Sequence, residues 1–436
     1  MTFGTGLSGL NAASKNMDVI GNNIANSSTT GFKSSRAQFA DVYANSYYGS
    51  NNAIGSGVRL SSVRQSFGQG NLSFTNNGLD LAINGGGFFV LDNNGSKVYS
   101  RAGAFSVDNN GYIVNSQNQK LTGLLADQTG NISNLSGLLQ VSSANINPSS
   151  TTTVKTGLNL FANSTPPTTA WAGGATPTSD TYNNVTSSTI YDSLGNSHVL
   201  SMYFVRADAD AAAGAPNASS PINTQNQWYV AFQIDNQDVP ALTGALNTDN
   251  LYRVNFNNDG SFSTAADQTN TGLANNLIPL SLNLSNGADP LSFNVDLSDS
   301  TQFGSPFAVQ SNVQNGYTTG RLDGINIDDN GVLFGSYTNG QSRAMGQVQL
   351  ANFTNPNGLQ PIGDTAWAET YVSGQPLIGN AGTASLGLIQ SGALEESNVD
   401  LTGELVNLIG AQRDFQANAQ TIRATDSITQ TIINIR

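Results

Sequence analysis

Large apolar residues recur at helical spacing along residues 401–436. Their spacing, mostly multiples of three, four and seven, places them on one face of an α-helix. The segment contains no proline, and Ser397 with Asp400 upstream form the expected capping box. Chain ends are usually polar, so an apolar stripe here requires a covering surface. The proposed stripe consists of Leu401, Leu405, Leu408, Phe415, Ile422, Ile428 and Ile432.

A matching stripe runs along residues 1–26 at heptad-like spacing. Glycines interrupt this predicted helix, and each costs about 1 kcal/mol relative to alanine in a helix interior. Two single-stripe helices at opposite ends of one chain can bury their seams on each other, so we predict that they pair as a coiled coil. The N-terminal members of this proposed assembly surface are Phe3, Leu7, Leu10, Met17, Ile20 and Ile24.

The covering surface within one chain is small. Burial of a few large side chains at about 1.5–3 kcal/mol each offsets the ordering cost of two helices only narrowly. We therefore hypothesise that both ends are loose in the free protein and become ordered when other copies supply more surface. Circular dichroism of the full chain against a version without both ends tests this hypothesis.

From residue 71 the hydrophobic period changes to two. Strand, turn and strand units recur around residues 92–95, 108–111, 257–260 and 328–331, where Asn-Gly and Asp-Gly pairs separate apolar alternations. The sequence therefore predicts a mainly β fold with terminal α-helices. Residues 207–226 have low complexity and are expected to form a projecting loop.

Shifts in composition divide the chain into nested, discontinuous domains. The expected connector includes Gly31, Phe32 and Lys33, where Gly31 permits a positive φ after the first helix. We expect a helical inner domain (1–26 with 397–436), an extended connector (27–70 with 365–396), an inner β domain (71–145 with 286–364) and an outer β domain (146–285).

Charge and cysteine content exclude several functions. The 436 residues carry a formal net charge of -13, with a pI near 4.3, so binding to a phosphate backbone by counterion release is excluded. No run of 18 apolar residues occurs, which argues against a membrane span. The N-terminus lacks the basic and apolar regions of a secretory signal. With no cysteine, disulfides, thiolate metal sites and thiol catalysis are excluded.

Candidate catalytic and binding motifs favour structural interpretations. The Asp-Asn-Asn-Gly turns lack the ligand spacing of a calcium loop, and residues 85–87, three glycines, lack the lysine and helix of a phosphate loop. His198, the single histidine, has no triad signature around it. A carboxylate pair for glycoside hydrolysis is conceivable, yet two of the four glutamates, Glu369, Glu395, Glu396 and Glu404, are adjacent and close to the C-terminal helix. We predict neither an enzyme nor a cofactor.

Several motifs resemble those of the bacterial flagellar rod and hook proteins. The N-terminal signature is carried by residues 7–13, 19–26 and 30–33, and the C-terminal signature by residues 397–401, 404–406 and 411–419. The shared β core is carried by residues 81–89 and 99–105. The match is dense over about the first and last 120 residues of the chain and looser between them. Rod members are much shorter, so a chain of 436 residues resembles the hook-type members.

The resemblance implies a structural subunit that self-assembles into a flexible helical tube. This universal joint would transmit motor torque to the filament and enclose an export channel, with the terminal helices inside and the connectors bridging neighbours. It also implies an extracellular location, reached through the type III export apparatus without a cleavable signal. The implied partners are copies of the chain, the distal rod protein, the hook–filament junction protein and, during assembly, the hook cap and hook-length control proteins.

Two other classes of function stay open from the sequence. A distal rod subunit would form a stiff tube, which an image of the polymer would distinguish from a curved one. A secreted β-rich adhesin or glycan hydrolase would bind or cleave a glycan and would work without residues 401–436.

Overall fold

The computed structural model describes residues 3–42, 55–169, 171, 177–207, 226–239, 251–266, 273–383 and 385–434. The chain divides into two compact units. The first unit comprises residues 1–143, 322–337 and 341–436, and the second comprises residues 144–321 and 338–340. Both terminal helices therefore belong to the first unit.

In chain order the elements are α1 (Phe3–Ala25), β1 (Ser35–Asp41), β2 (Val58–Gln65), β3 (Leu72–Phe74), β4 (Leu81–Asn84), β5 (Phe88–Asn93), β6 (Ser96–Ser100), β7 (Ser106–Val107), β8 (Ile113–Val114), β9 (Lys120–Ala126), β10 (Ile132–Leu138), β11 (Thr153–Phe161), β12 (Asn184–Tyr191), β13 (Ser197–Arg206), β14 (Gln227–Ile234), β15 (Gln237–Asp238), β16 (Leu251–Phe256), β17 (Phe262–Ala266), β18 (Leu277–Leu282), β19 (Leu291–Asp296), β20 (Thr301–Phe303), β21 (Ala308–Gln314), β22 (Leu322–Ile327), β23 (Val332–Tyr337), β24 (Ser342–Asn352), β25 (Gln360–Gly363), β26 (Ala366–Ala368), β27 (Leu377–Asn380), β28 (Leu388–Ser391), β29 (Ala393–Glu395) and α2 (Leu401–Asn434). Short 3-10 helices occupy Ala274–Asn276 and Pro356–Gly358.

Helices α1 and α2 pack against each other. The predicted fold class, mainly β with a helix at each terminus and the two helices paired, is confirmed. The buried residues of α1 are Ala13, Ile20 and Asn23, and Ala411 is buried in α2. Among the described residues, neither helix combines the length and the hydropathy needed to cross a membrane.

Asp400 caps the N-terminus of α2. Its Oδ1 accepts a hydrogen bond of 3.1 Å from the backbone N–H of Thr402, the second helical residue. The predicted capping box with Ser397 is wrong, because Asp400 already fills the cap position. The hydroxyl of Ser397 instead accepts a 3.4 Å bond from the backbone N–H of Val399, before the helix begins.

A twelve-stranded sheet forms the body of the first unit, with the central order β22-β23-β24-β9-β5-β6-β26-β25. Its core contains Leu81, Phe89, Leu121 and Leu350, all completely buried. The Asp-Asn-Gly segments are hairpin turns, as predicted. Oδ1 of Asp108 accepts two backbone hydrogen bonds of 2.8 Å within its turn, so this carboxylate serves the turn rather than an ion.

The connector segments differ from the expected extended chain. Strands β1 and β2 pair antiparallel, β3 pairs with β29, β28 with β4, and β27 with β24. Apart from β1 and β2, each of these strands pairs with a strand distant in sequence, so no local turn reveals the pairing. Residues 43–54, between β1 and β2, lie outside the described part of the chain.

The second unit contains a six-stranded sheet, with the central order β12-β13-β14-β16-β17 and with β15 paired to β14. Its five-stranded sheet has the central order β18-β19-β11-β20, with β21 paired to β11. Both sheets contribute to one core around the completely buried Trp228. Strand β11 pairs in parallel with β19 and β20 and antiparallel with β21. Residues 286–321 therefore belong to this unit and not, as expected, to the inner β domain. Residues 208–225, most of the predicted projecting loop, lie outside the described residues.

Candidate assembly site

The two terminal helices approach closely at glycines of α1. A Cβ atom added to Gly6 would lie 3.0 Å from Cγ1 of Ile422, and one added to Gly9 would clash with the side chain of Asn418. By contrast, a Cβ added to Gly4 or Gly21 would meet no atom within 4 Å. Gly6 and Gly9 thus permit the close contact with α2, although the sequence indicated only their cost to the helix.

Helix pairing covers only part of the predicted stripe. Ile20 is 5% exposed, whereas Phe3 is 56%, Leu405 46% and Ile428 61% exposed. Leu7 and Leu401 are also exposed, the side chain of Ile432 lies outside the described part of α2, and the half-buried members are Leu10, Met17, Ile24, Leu408, Phe415 and Ile422. Large apolar side chains left exposed along both helices favour an interaction site here.

Asn23 joins three segments beneath the helix pair. Its Nδ2 donates hydrogen bonds to the backbone oxygen of Ser35 at 2.7 Å and to Oε1 of Glu404 at 3.0 Å. Its Oδ1 accepts a 2.8 Å bond from the backbone N–H of Ser35. Asn23 is 1% exposed, so its polar groups are buried and satisfied. It fixes α1 to β1 and to the first turn of α2.

A buried triad of charges lies where the two connector segments meet the β body. Glu395 Oε1 contacts Nζ of Lys33 at 2.6 Å, and Oε2 contacts NH1 of Arg101 at 3.1 Å. The side chains of Lys33 and Glu395 are fully buried. Lys33 also donates to the backbone oxygen of Gly68 at 2.7 Å, and Glu395 accepts a 2.9 Å bond from the N–H of Gly70.

Arg101 completes the triad with bonds to the main chain. It donates to the backbone oxygens of Ile83 at 3.3 Å and Gly85 at 2.7 Å. Burial lowers the pKa of Lys33 and that of Arg101, and the neighbouring Glu395 carboxylate opposes both shifts. Removing one partner from such a buried cluster leaves an uncompensated charge, which typically costs about 3–5 kcal/mol.

Gly31 and Asn398 tie the same two segments together. The N–H of Gly31 donates to the backbone oxygen of Glu395 at 2.8 Å, and its φ of 70° is one that glycine favours. Asn398 accepts a 2.7 Å bond from the N–H of Ser34 and donates to the backbone oxygen of Ser66 at 2.8 Å. We call the set Gly31, Lys33, Arg101, Glu395 and Asn398 the anchor.

Of the predicted connector residues, Gly31 and Lys33 thus belong to the anchor. Phe32 is half-buried between them. The sequence indicated a turn at these three residues but gave no sign of an ionic cluster. The signal that could have found it is Glu395, an acidic residue between the apolar Leu394 and the start of the C-terminal motif.

The residues considered for catalysis are dispersed. His198 lies in the second unit, with Nδ1 2.6 Å from Oδ2 of Asp235 and Nε2 3.4 Å from Oδ2 of Asp192. Burial alone would lower the pKa of His198, but the bonds to the two carboxylates outweigh burial and raise it. In the first unit Glu369 accepts a bond from the hydroxyl of Tyr99, and Glu395 serves the anchor.

Metal-binding geometry is also lacking in the described part of the chain. Those residues contain no group of three or more His, Cys, Asp or Glu side chains placed to hold a metal ion. The triple glycine forms a bend between β4 and β5, with φ of 121° at Gly85 and 118° at Gly87. The exposed helix stripes, held in place by the anchor, are thus the best-supported functional site.

Sequence-family profiles match segments along the whole chain. Their descriptions are flagella basal body rod protein (residues 3–33), flagellar hook protein FlgE/F/G D1 domain (82–155), flagellar basal body protein FlaE D2 domain (158–317) and flagellar basal body rod FlgEFG protein C-terminal (390–435). The two end profiles cover the helices that form the assembly site. Fold and site together define the class of flagellar rod and hook proteins.

Relatives that match over their full length show to which family within this class the chain belongs. The chain is 38% identical to the flagellar hook protein FlgE of Escherichia coli (strain K12) over 439 residues, covering 100% of both chains. It is 39% identical to the flagellar hook protein FlgE of Salmonella typhimurium over 440 residues, again covering 100% of both. The chain belongs to the flagellar hook protein family. The structural role and the absence of enzymatic function predicted from the sequence are thereby confirmed, and the rod, adhesin and hydrolase alternatives are set aside.

A solved structure supports the fold. The crystal structure of the Helicobacter pylori flagellar hook protein FlgE2 superimposes with a TM-score of 0.50, covering 74% of this chain and 100% of that chain at 15% identity. At this identity the similarity concerns the fold alone.

Proposed function

We propose that copies of this chain polymerise into the flagellar hook as a flexible helical tube, which passes motor torque to the filament and encloses an export channel. One observation carries the proposal: the paired helices leave large apolar residues such as Phe3, Leu405 and Ile428 uncovered in the single chain. Monomeric proteins rarely expose such stripes. Neighbouring helix pairs in a tube supply the missing cover.

The apolar surface of the helix pair and the polar surface of the β-rich part suit different mechanical roles in the tube. Apolar contacts between helix pairs are buried together and resist separation, so they form the permanent inner layer of the tube. The chain between the two helices is rich in Asn, Ser, Thr and Gly, many of them exposed, and hydrogen bonds of such residues contribute only about 1 kcal/mol each and exchange with water. A bent, rotating tube needs contacts of this second kind to slide as protofilaments shorten and lengthen.

The anchor couples the helices to the β body of the first unit. Glu395 lies six residues before α2 and pairs with Lys33, eight residues after α1. Because these pairs are buried and share backbone bonds, both helices leave the body in fixed directions. Force on the β body therefore reaches the helix pair without passing through a loose linker. The hypothesis that the helices are loose in the free monomer stays a prediction.

The location and the partners follow from the same assignment. The chain would act outside the cell after passage through the type III export apparatus, without a cleavable signal peptide. Besides its own copies it would contact the distal rod protein and the hook–filament junction protein, and it would meet the hook cap and hook-length control proteins during growth.

The assembly role is tested by placing a charge in the stripe. Leu405→Asp is expected to abolish polymerisation, because the carboxylate would be buried between copies at a cost of several kcal/mol. The β body should stay folded, since Leu405 is 46% exposed in the single chain. Ile422→Asp should act similarly but also disturbs the contact with Gly6. Electron microscopy and sedimentation measure the polymer, and circular dichroism checks the fold.

Asn407→Asp is the matched control. It adds the same charge to the same exposed stretch of α2, two residues further along, without replacing an apolar side chain. We expect this variant to polymerise. Tubes formed at normal yield by Leu405→Asp would refute the assignment of the stripe.

A further inference from the structure

An uncharged apolar edge of the first unit has no role in the helix pair or the anchor. Tyr371 is 101% exposed, Val372 67%, Leu377 61% and Ile378 40%. We call these four residues the apolar edge. The four lie within eight consecutive residues, and Leu377 and Ile378, neighbours in β27, face opposite sides of the sheet edge. Large hydrophobic side chains exposed close together, and not singly, mark an interaction surface.

The tip of the apolar edge is held rigidly. Oγ1 of Thr370 donates to the backbone oxygen of Gly358 at 2.6 Å and accepts bonds from the N–H groups of Val372 and Ser373 at 3.1 and 3.2 Å. The hydroxyl of Ser373, a completely buried residue, donates to the backbone oxygen of Thr370 at 2.8 Å. Tyr371 is therefore presented by a preformed turn, which lowers the ordering cost of docking.

The rest of the apolar edge follows the same line of backbone. Leu377 stands opposite Asn352, the last residue of β24, in the β27–β24 pair. Three residues after Asn352, beyond the end of β24, the N–H of Asn355 donates to the backbone oxygen of Ser373 at 3.3 Å. Among the described residues, β27 pairs with no strand other than β24. Its outer side is an open sheet edge, which is a ready site for contact with another chain.

The distribution of charge along the chain indicates which partner would bind the apolar edge. Residues 370–394 contain no Asp, Glu, Lys, Arg or His, although the whole chain carries a net charge of -13. Two copies of an acidic chain repel each other over most of their surfaces. Over the uncharged residues 370–394, two copies can approach each other without that repulsion. A cationic partner would instead be attracted to the acidic residues elsewhere on the chain.

We propose that the apolar edge is a docking surface for a second copy of this chain, with Tyr371 as its central side chain. The inference rests on the proposed polymer and adds a contact outside the helix stripes. Tyrosine is enriched among the residues that dominate interface energies. Four side chains cover much less than the roughly 800 Å² per partner of a stable pair, so this contact contributes within a polymer and does not form dimers by itself.

Cross-linking from position 371 tests the proposal directly. Because the chain has no cysteine, Tyr371→Cys gives a unique thiol for a benzophenone maleimide probe, and its complete exposure predicts normal folding. Nitrogen-15-labelled Tyr371→Cys copies are copolymerised with unlabelled unsubstituted copies and irradiated. We expect cross-links that join labelled to unlabelled peptides in the polymer and none in the dilute monomer. Lys97→Cys, at an exposed charged position on β6, is the matched control and should give few such cross-links.

A second measurement uses the critical concentration for polymerisation. Tyr371→Ser should raise it about 10- to 30-fold, the effect of losing a dominant interface side chain. Tyr371→Phe, which keeps the ring, should polymerise nearly as the unsubstituted chain does.

The outcomes separate this inference from the proposed function. A normal polymer in which position 371 gives no cross-link between copies, or in which Tyr371→Ser has no effect, would overturn the docking surface and leave the hook assignment intact. An unsubstituted chain that never polymerises would overturn both.

Discussion

The helix pair and the anchor differ in which side chains they bury. The helix pair leaves apolar residues such as Phe3 and Ile428 more than half exposed, while the anchor buries the charged groups of Lys33, Arg101 and Glu395. In the anchor each carboxylate oxygen has a partner within the chain. In the helix pair much of the apolar surface has none among the described residues.

The difference shows which part is complete in a single copy. The anchor has all its partners and should form whenever the chain folds. In the proposed polymer the helix pair would gain its remaining contacts from other copies, so its stability should depend on concentration. Substitutions in the anchor should therefore alter the free subunit, and substitutions in the exposed stripe should alter only the polymer.

The largest effect is expected from Glu395→Gln, which leaves two buried cations without a counter-charge. We expect the first unit to lose about 3–5 kcal/mol of stability. Hydrogen exchange measured by mass spectrometry should show faster exchange at residues 31–34 and 395–398 in the monomer. An unchanged exchange rate there would contradict the role of the anchor.

Two further variants provide reference values for the loss of stability expected in Glu395→Gln. Lys33→Met keeps the ion pair of Arg101 with Glu395 and should cost less than Glu395→Gln. Asp299→Asn removes the exposed pair of Asp299 with Lys155, in which both side chains are about half exposed, and should change stability far less than Glu395→Gln because solvent screens such a pair.

An intermediate effect is expected at the contact between the helices. Gly9→Ala and Gly21→Ala gain the same helix propensity, but only the first introduces a clash, with Asn418 of α2. The contacted atoms are the end of a half-buried side chain that can rotate away, so the helix pair should be less stable in Gly9→Ala than in Gly21→Ala by at most about 1 kcal/mol. Thermal melting followed by circular dichroism measures the difference, and a Gly9→Ala variant that melts higher than Gly21→Ala would contradict the close approach at Gly9.

The smallest effect concerns a cluster that is only partly buried. The pKa of His198 is raised above its ordinary value of 6.5 by Asp235 and Asp192. This contribution to stability is complete below about pH 6.5 and is lost as the pH rises through the folded-state pKa. His198 is the single histidine of a chain without cysteine. The unfolding midpoint of the second unit should thus be higher at about pH 5.5 than at pH 8.5.

His198→Asn should remove most of that pH dependence. The same comparison for the first unit, which contains no histidine, should show little change over this range. A pH dependence that persists in the variant would assign the effect to another group.

Local patterns predicted the helices and the hairpins. The stripe from Leu401 to Ile428 follows a helical period, and the turn at Asp108 is fixed by hydrogen bonds from residues two and four positions later. These signals lie within a few residues of each other, so they can be read from the sequence. The exposure of the stripes also agrees with the expectation that one chain cannot cover them.

Contacts between distant segments could not be predicted in the same way. Lys33 and Glu395 are 362 positions apart, and Arg101 and Glu395 are 294 apart. No turn or period connects them. The parallel pairing of β11 with β19 and β20 likewise leaves no turn signal, which is why residues 286–321 were assigned to the wrong unit. The roles of Gly6 and Gly9 depend on α2, which their own helix cannot reveal.

The anchor residues lie far apart along the chain, so the anchor can form only late in synthesis. A ribosome adds about 5–20 residues per second, so Lys33 emerges some 20–70 s before Glu395, 362 positions later. Before Glu395 is synthesised, Lys33 and Arg101 lack the counter-charge that favours their burial, and α2 is not yet available to pack against α1. A chain that has not yet reached Glu395 should therefore lack both the anchor and the helix pair on which the proposed assembly depends.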